Sequence, residues 1–430
     1  MKLIADLHLH SHYARATSKD LNLANLEKYA RIKGLGLLGT GDFQHPKWQP
    51  EVRQELKEDD NGILWSNTGF PFIWQTEISL IYTQDNIGRR IHFILLAPSG
   101  EVVSQITEAL ARKGRIDYDG RPIFGFSSIE LVDMMIGISR EIEIIPAHAW
   151  TPWFSVFGSN SGFKSLKECF GERANYIHAI ETGLSSDPPM NWRISELDRI
   201  TLVSNSDSHS YWPWRIGREA NIFELKEISY KGIISAIKNK ELKATIEVDP
   251  AYGKYHLDGH RACKVCLEPK ESLKQNNICP KCRRKLTIGV LHRVEELADR
   301  PEGYKPENAA NFYSLIPLSE IIAQSISAGI ATNKTWKAFN DLINKFGNEF
   351  SILLDAPIEE IEKLTNEKIA SAVMLNRAGK LRIIPGYDGE YGKPVFDKSA
   401  ANENEPEQDL KELIKGKNKQ PSQKGLGEYF

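Results

Sequence analysis

Short apolar runs alternate with helically periodic segments from the start of the chain to about Val248. The strand-like runs are Lys2–Leu7, Leu35–Leu38, Phe72–Ile81, Arg90–Leu96, Ile142–Ile145, Tyr176–Ile180 and Thr201–Val203. Between them Leu23–Ile32, Val102–Lys113, Ser127–Ile138 and Tyr230–Lys238 carry apolar residues three and four apart, the spacing of a helix with one buried face. Alternation of this kind predicts an α/β domain over residues 1–250, with a parallel sheet or a barrel.

The polar residues that interrupt this pattern fall at recurring places. His8 and His10, Asp42, Glu77, His92, His148, Glu181, Asp207 and His209 all lie late in, or just past, a strand-like run. Active sites of α/β folds gather at the carboxyl ends of their strands. In the opening segment Asp6-Leu7-His8-Leu9-His10-Ser11-His12, strand alternation puts Asp6, His8 and His10 on one face. Two imidazoles with a carboxylate beside them suit a divalent ion such as zinc or manganese.

The chain has 430 residues, more than one ordinary core holds, so two or three domains are expected. With 55 basic and 57 acidic residues the formal charge is -2, and only a local patch can mark a charged partner. No apolar run reaches membrane-spanning length and the start has no basic-then-apolar signal pattern, so a cytoplasmic protein is expected.

Near Lys254 the alternation stops. Cys263-Lys-Val-Cys266 and Cys279-Pro-Lys-Cys282 form two hooks, and their four thiolates suit a closed, structural zinc site in a module over 251–292. Cys169 stands apart and reads as a core residue. Arg261, Lys264, Lys270, Lys274, Lys281, Arg283, Arg284, Lys285 and Arg293 face only Glu268 and Glu271 over this stretch. That excess suits phosphate contact or a solvated ribbon face. Residues 293–397 read as helical, with Leu318–Ser327, Trp336–Phe346 and Ile358–Leu364 periodic, and as a DNA-binding region or a plain bundle. Beyond 398 the composition is polar and charged and predicts a flexible tail. It ends on Gln423-Lys-Gly-Leu426-Gly-Glu-Tyr429-Phe430, where one helical turn would gather Leu426, Tyr429 and Phe430 on one side with Gln423 beside them.

The segments Asp6-Leu-His8-Leu-His10-Ser, Thr40-Gly-Asp42, Glu77, Arg90-Ile-His92-Phe, Pro146-Ala-His148-Ala-Trp and Ser206-Asp207-Ser-His209 together resemble the polymerase-and-histidinol-phosphatase (PHP) superfamily of metal-dependent phosphoesterases. That resemblance implies a distorted seven-stranded α/β barrel holding two or three divalent ions (zinc, manganese or magnesium), with Asp207, Glu77, His8 and His10 at the heart of catalysis. One position departs from the family pattern: Phe43 stands where a histidine usually follows the aspartate, and His45 or His12 could replace it. The barrel, ribbon, helical region and tail in this order resemble the endonuclease Q family, in particular its archaeal members. The last eight residues resemble the motif by which replication and repair enzymes dock on the sliding clamp PCNA.

The family's activity implies nicking of DNA on the 5′ side of deaminated bases (uracil, hypoxanthine, xanthine) and abasic sites. Paired metals suit this chemistry by acidifying water and clamping an in-line displacement. Reading a deaminated base calls for turning it out of the duplex, and the aromatic segments Trp150–Phe157 and Tyr211–Trp214 follow the expected ligands directly. The competing readings are a small-molecule phosphatase of the histidinol phosphatase type and a catalytically idle DNA- or clamp-binding module.

Overall fold

The computed structural model describes residues 1–395. The periodic segments are helices at Leu23–Lys33, Gly100–Lys113, Ser128–Ile138 and Tyr230–Lys238. Each opens on a side chain that accepts a first-turn backbone N–H: Asn22, Ser99, Ser127 and Ser229. Such a cap satisfies an amide with no partner inside the helix and contributes about 1 kcal/mol.

Eleven strands join in one sheet. At its centre Lys2–Asp6 runs parallel to Leu37–Gly39, which runs parallel to Pro71–Gln84. The expectation of a parallel sheet is corrected from there on. Pro71–Gln84 and Ile87–Ala97 form an antiparallel hairpin, closed by Asp85 and Asn86 at φ 53° and 60°. A two-residue connection cannot carry a chain back to a parallel start, and two left-handed residues match the twist of an antiparallel pair. Ala220–Glu224 also runs antiparallel to Lys2–Asp6, so the sheet is mixed.

Ala179–Glu181 and Thr201–Val203 make a separate parallel pair. Side chains tie it to the main sheet: Leu7 N donates to Asn205 Oδ1 at 2.8 Å and Ser204 N to Asn221 Oδ1 at 3.0 Å.

The region expected to be helical begins in the helix Val290–Leu297, but then adds a strand, Asn311–Ser314, which extends the main sheet beside Ala244–Glu247. Helices Leu318–Ser325, Asn333–Phe346, Glu349–Leu354, Ile358–Leu364 and Glu367–Arg377 follow. One apolar core runs from Leu38, Phe72 and Phe93 through to Leu318, Phe339 and Ile369. The buried pair Lys33–Glu349, Nζ to Oε1 at 2.7 Å, ties the first helix to this region. Among the described residues no helix is long and apolar enough to cross a membrane.

Candidate active site

His8 and His10 lie just past Lys2–Asp6, Asp42 past Leu37–Gly39, His148 past Glu143–Pro146, and Asp207 past Thr201–Val203. Glu77 and His92 come from the two arms of the hairpin. Asp42, His148 and Asp207 take left-handed φ values of 42°, 30° and 46°. A non-glycine residue held this way costs about 1–3 kcal/mol and persists only where its surroundings fix it, which happens most at functional sites.

Two groups of side chains offer ligand atoms within 4.8 Å of one another: His8, His10, Glu77 and Asp207, and Glu77, His92 and His148. Glu77 joins them. Its Oε2 faces His10 Nε2 at 3.2 Å and His8 Nε2 at 3.5 Å, while its Oε1 faces His92 Nδ1 at 2.8 Å and His148 Nε2 at 3.2 Å. Asp207 Oδ1 closes the first group, 3.1 Å from His10 Nε2 and 3.6 Å from His8 Nε2.

Three further expected ligands stand outside these groups. Glu181 takes His8 Nδ1 at 3.0 Å and accepts the backbone N–H of His148 at 2.7 Å. Asp42 takes His10 Nδ1 at 3.0 Å, and its other oxygen accepts from both the N–H and the hydroxyl of Ser11 at 2.6 Å. Each carboxylate thus holds one ring nitrogen and turns the other, Nε2, towards Glu77, the usual way a metal-binding imidazole is oriented. His209 lies beside the first group, its ring 4.4 Å from that of His10. Asp6 stands outside both groups and accepts from Ser206 N at 3.1 Å, Gly217 N at 2.9 Å and the backbone N–H of His8 at 3.5 Å. Neither His45 nor His12 joins the groups: His45 stacks on Tyr13, and His12 donates towards Leu21 O. Phe43 is fully buried and meets Trp74 edge to face.

The charges are strongly coupled. Burial alone would neutralise His8, but Glu181, Asp207 and Glu77 raise its pKa well above that of free imidazole. Burial acts the same way on His10, and Asp42 with Asp207 raises it. For His92 burial wins, bringing it down to about 3. Burial would raise Glu77, yet Arg121, His92 and His8 hold it well below the carboxylate range.

A cavity of about 600 Å³ opens beside these residues, reaching His92, His148, Asp207 and His209. Trp153, Phe154, Tyr255 and Tyr391 supply aromatic lining, and Arg215, Arg218 and Lys254 supply positive charge. Of the two aromatic segments expected to face a substrate, only 150–157 lines this cavity, through Trp153 and Phe154. In the other, Trp212 stacks on Trp214 at 5.0 Å, and both meet Trp336 at 5.7 Å. Lys33 Nζ donates to Pro213 O at 2.8 Å, so this segment is packed under the C-terminal helices.

The cysteine module brings together Cys263, Cys279 and Cys282, but its fourth member is His260 rather than Cys266. His260 Nδ1 lies 3.3 Å from Cys282 Sγ. Cys266 pairs with Gly259 in a small antiparallel ribbon, Asp258–His260 with Val265–Leu267. Burial, then Glu268 and Asp258, push its thiol up to about 12. Burial works the same way on Cys279, but the N–H groups of Cys282 and Lys281, with His260, bring it down to about 6, a thiolate ready for metal. Gln423, Leu426, Tyr429 and Phe430 lie outside the described residues.

Four functional positions escape the sequence pattern. Arg121 donates from Nη1 to Glu77 Oε2 at 2.9 Å, and His260 joins the cysteines. Gln75 Oε1 accepts the N–H groups of Leu9 and Gly41, fixing two ligand-bearing turns at once. Asn205 accepts Leu7 N and donates to Glu181. His260-x-x-Cys263 repeats the spacing of Cys279-x-x-Cys282, which is a readable signal. The other three have none, since they act across long sequence separations.

Comparison with known proteins bears on the whole chain. Residues 317–380 match the family described as the MJ0043 C-terminal domain. An uncharacterized Methanocaldococcus jannaschii protein, MJ0043, is 37% identical over 293 residues, 67% of this chain and 35% of that protein, so the match spans about a third of that relative's length. The uncharacterized Bacillus subtilis protein YqxK is 30% identical over 418 residues, 91% of this chain and 99% of that one. The crystal structure of the lesion-specific endonuclease PfuEndoQ from Pyrococcus furiosus superposes with a TM-score of 0.84 at 33% identity, covering 94% of this chain and 98% of that one. Endonuclease Q in complex with a 27-mer duplex carrying an abasic lesion at its active site gives 0.84 at 34% identity, covering 95% and 100%.

Proposed function

The chain belongs to the endonuclease Q family, and from that membership we propose that it is a PHP-type phosphoesterase that cuts DNA on the 5′ side of deaminated bases (uracil, hypoxanthine, xanthine) and of abasic sites. The observation that carries this reading is Glu77, fully buried and shared by two ligand groups whose Asp207, His92 and His148 line an aromatic, basic cavity.

The donor set fits divalent ions. His8 Nε2 is buried without a hydrogen-bond partner, as a nitrogen reserved for a metal would be. His8, His10, Glu77 and Asp207 would hold one ion, Glu77, His92 and His148 a second, with His209 beside the first. Bound there, such ions supply acidified water and neutralise charge at the phosphate. The chain does the rest. Glu181 and Asp42 orient His8 and His10 before substrate arrives. The cavity is large enough for a base turned out of the duplex, and Phe154, its ring 4.7 Å from that of His92, would stack on such a base beside the reacting phosphate. Hydrolysis on that side leaves a 3′-hydroxyl and a 5′-phosphate.

In this reading the strands Lys2–Asp6, Leu37–Gly39, Pro71–Gln84, Ile87–Ala97, Glu143–Pro146, Ala179–Glu181 and Thr201–Val203 form the family's seven-stranded barrel, closed where Leu9 bridges Ser208. The ribbon, with one zinc ion, grips the DNA backbone, and residues 423–430 dock on PCNA. Purified protein with manganese, offered duplexes with one uracil, one hypoxanthine or one abasic site, should nick each at the lesion and spare the undamaged duplex. Hydrolysis of a small phosphate monoester with no cleavage of any duplex would replace this reading with the phosphatase one.

A further inference from the structure

Arg121 meets the centre at its shared member. Its Nη1 donates at 2.9 Å to Glu77 Oε2, the oxygen that His8 and His10 also face. The Glu77 side chain is fully buried, whereas that of Arg121 is 28% exposed, so the guanidinium reaches from the metal-binding carboxylate to solvent.

The loop that carries it is tightly fixed. Asp119 Oδ1 accepts the N–H groups of Arg15 and of Arg121 itself, both at 3.2 Å. Gln44 Nε2 donates to Gly120 O at 2.6 Å, Gly120 N to Tyr13 O at 3.2 Å, and Ser79 N to Pro122 O at 2.9 Å. A Cβ at position 120 would run into the Asp42 carboxylate and Ala14, so only glycine lets the loop press this close to the rim. A solvated surface arginine requires none of this.

Charge gives the residue its task. Two divalent ions held there would balance the carboxylates of Asp42, Glu77, Glu181 and Asp207. Negative charge that builds on the phosphoryl oxygens during attack then needs a further cation, and a planar guanidinium with five donors can serve carboxylate and phosphate together. We infer that Arg121 is a catalytic residue that donates to a non-bridging oxygen of the scissile phosphate. As the oxygen of water bonds to phosphorus, the P–O3′ bond breaks. The proton lost by water balances the one gained by O3′, and Arg121 keeps its own. This rests on the phosphodiesterase reading above.

The test uses the full chain loaded with manganese and two substrates, a duplex with one abasic site and bis(p-nitrophenyl) phosphate. Arg121→Ala should slow single-turnover cleavage of both by about 100- to 1,000-fold, the usual cost of one preorganised donor. Manganese content and duplex affinity should stay at wild-type levels, and methylguanidine should restore much of the lost rate. Arg121→Gln keeps an N–H for Glu77 without the charge and should lose as much, which guards against a misfolded alanine variant. Wild-type rates in both variants, loss of manganese together with activity, or no rescue in a folded, metal-loaded Arg121→Ala would overturn the assignment. If the wild-type protein hydrolyses the ester but no lesion duplex, the DNA reading fails, and Arg121 is judged on the ester by the same criteria.

Discussion

The candidate metal centre and the cysteine module solve one problem in opposite ways. The centre collects side chains from His8 to Asp207 across a packed sheet, and His8, His10 and Glu77 are completely buried. The module collects His260 to Cys282 from one short stretch whose own buried cluster is only Val265, Cys279 and Leu286. In the first case the surrounding core, with Glu181 on His8 and Asp42 on His10, holds the imidazoles in place. In the second, three buried residues cannot order the segment, and metal binding, worth about 10–16 kcal/mol in small zinc modules, must do so. A preformed site is therefore expected to lose function without losing structure, and a metal-organised one to lose both.

The largest effect that would break this contrast lies at Asp207. Asp207→Asn removes a charge from the first ligand group while keeping its shape. Cleavage should fall by more than about 1,000-fold, beyond the loss of a single electrostatic donor. Thermal unfolding and duplex affinity should barely move. A variant that unfolds would show the centre to be metal-organised after all.

The module should answer differently. Cys279→Ser or His260→Ala should release its metal, open the ribbon to protease and weaken duplex binding about tenfold through lost phosphate contacts. Metal analysis should find the ions of the candidate centre still bound. Cys266→Ser separates the sequence expectation from the structure: the metal should stay, because Cys266 lies outside the ligand group. Release of the ion from that variant would restore the four-cysteine site.

This contrast also decides what could be read in advance. His8, His10, His92, His148 and Asp207 were legible because each interrupts an apolar run near the end or middle of a strand, and the fold then gathers them. Whether a residue binds an ion or braces its neighbour was not. Asp42 and Glu181 sit in equivalent strand-end positions, yet both hold the Nδ1 of a histidine. The packing of Trp212 and Trp214 was hidden for the same reason, since Trp336 arrives from more than a hundred residues away. In the ribbon the cysteines drew attention from His260, whose spacing was in plain sight.

A smaller effect sharpens the picture of the preformed centre. His8 and His10 have pKa values raised well above 6.5 by their carboxylate neighbours, so in the metal-free protein each keeps a second proton through neutral pH. That proton must leave before Nε2 can take an ion. His92, down at about 3, is already neutral and has none to give. Metal affinity at the centre should therefore rise with pH, by about tenfold per unit for each proton displaced. Manganese titrations by calorimetry in buffers of different ionisation heat should register proton release. Uptake, or no exchange, would mean that the two imidazoles are neutral before the ion arrives.

The smallest effect on cleavage is expected at the far end of the chain, where the site would be more local still. Gln423, Leu426, Tyr429 and Phe430 fall within eight residues, and all four lie far in sequence from every residue of the centre. Deleting 423–430 should leave nicking of a short duplex at the wild-type rate, because more than two hundred residues separate them from Asp207 and His209. Clamp binding should disappear. Two adjacent aromatics in a preformed pocket carry several kcal/mol at an interface hot spot, typically about 2 or more each. Tyr429→Ala with Phe430→Ala should then nearly match the deletion, since Gln423 alone offers one hydrogen bond and little buried area. Calorimetric titration of both variants against PCNA measures this directly. Binding that survives the double substitution would move the clamp contact to another part of the molecule, and slower nicking by the deleted chain would tie the tail to the centre.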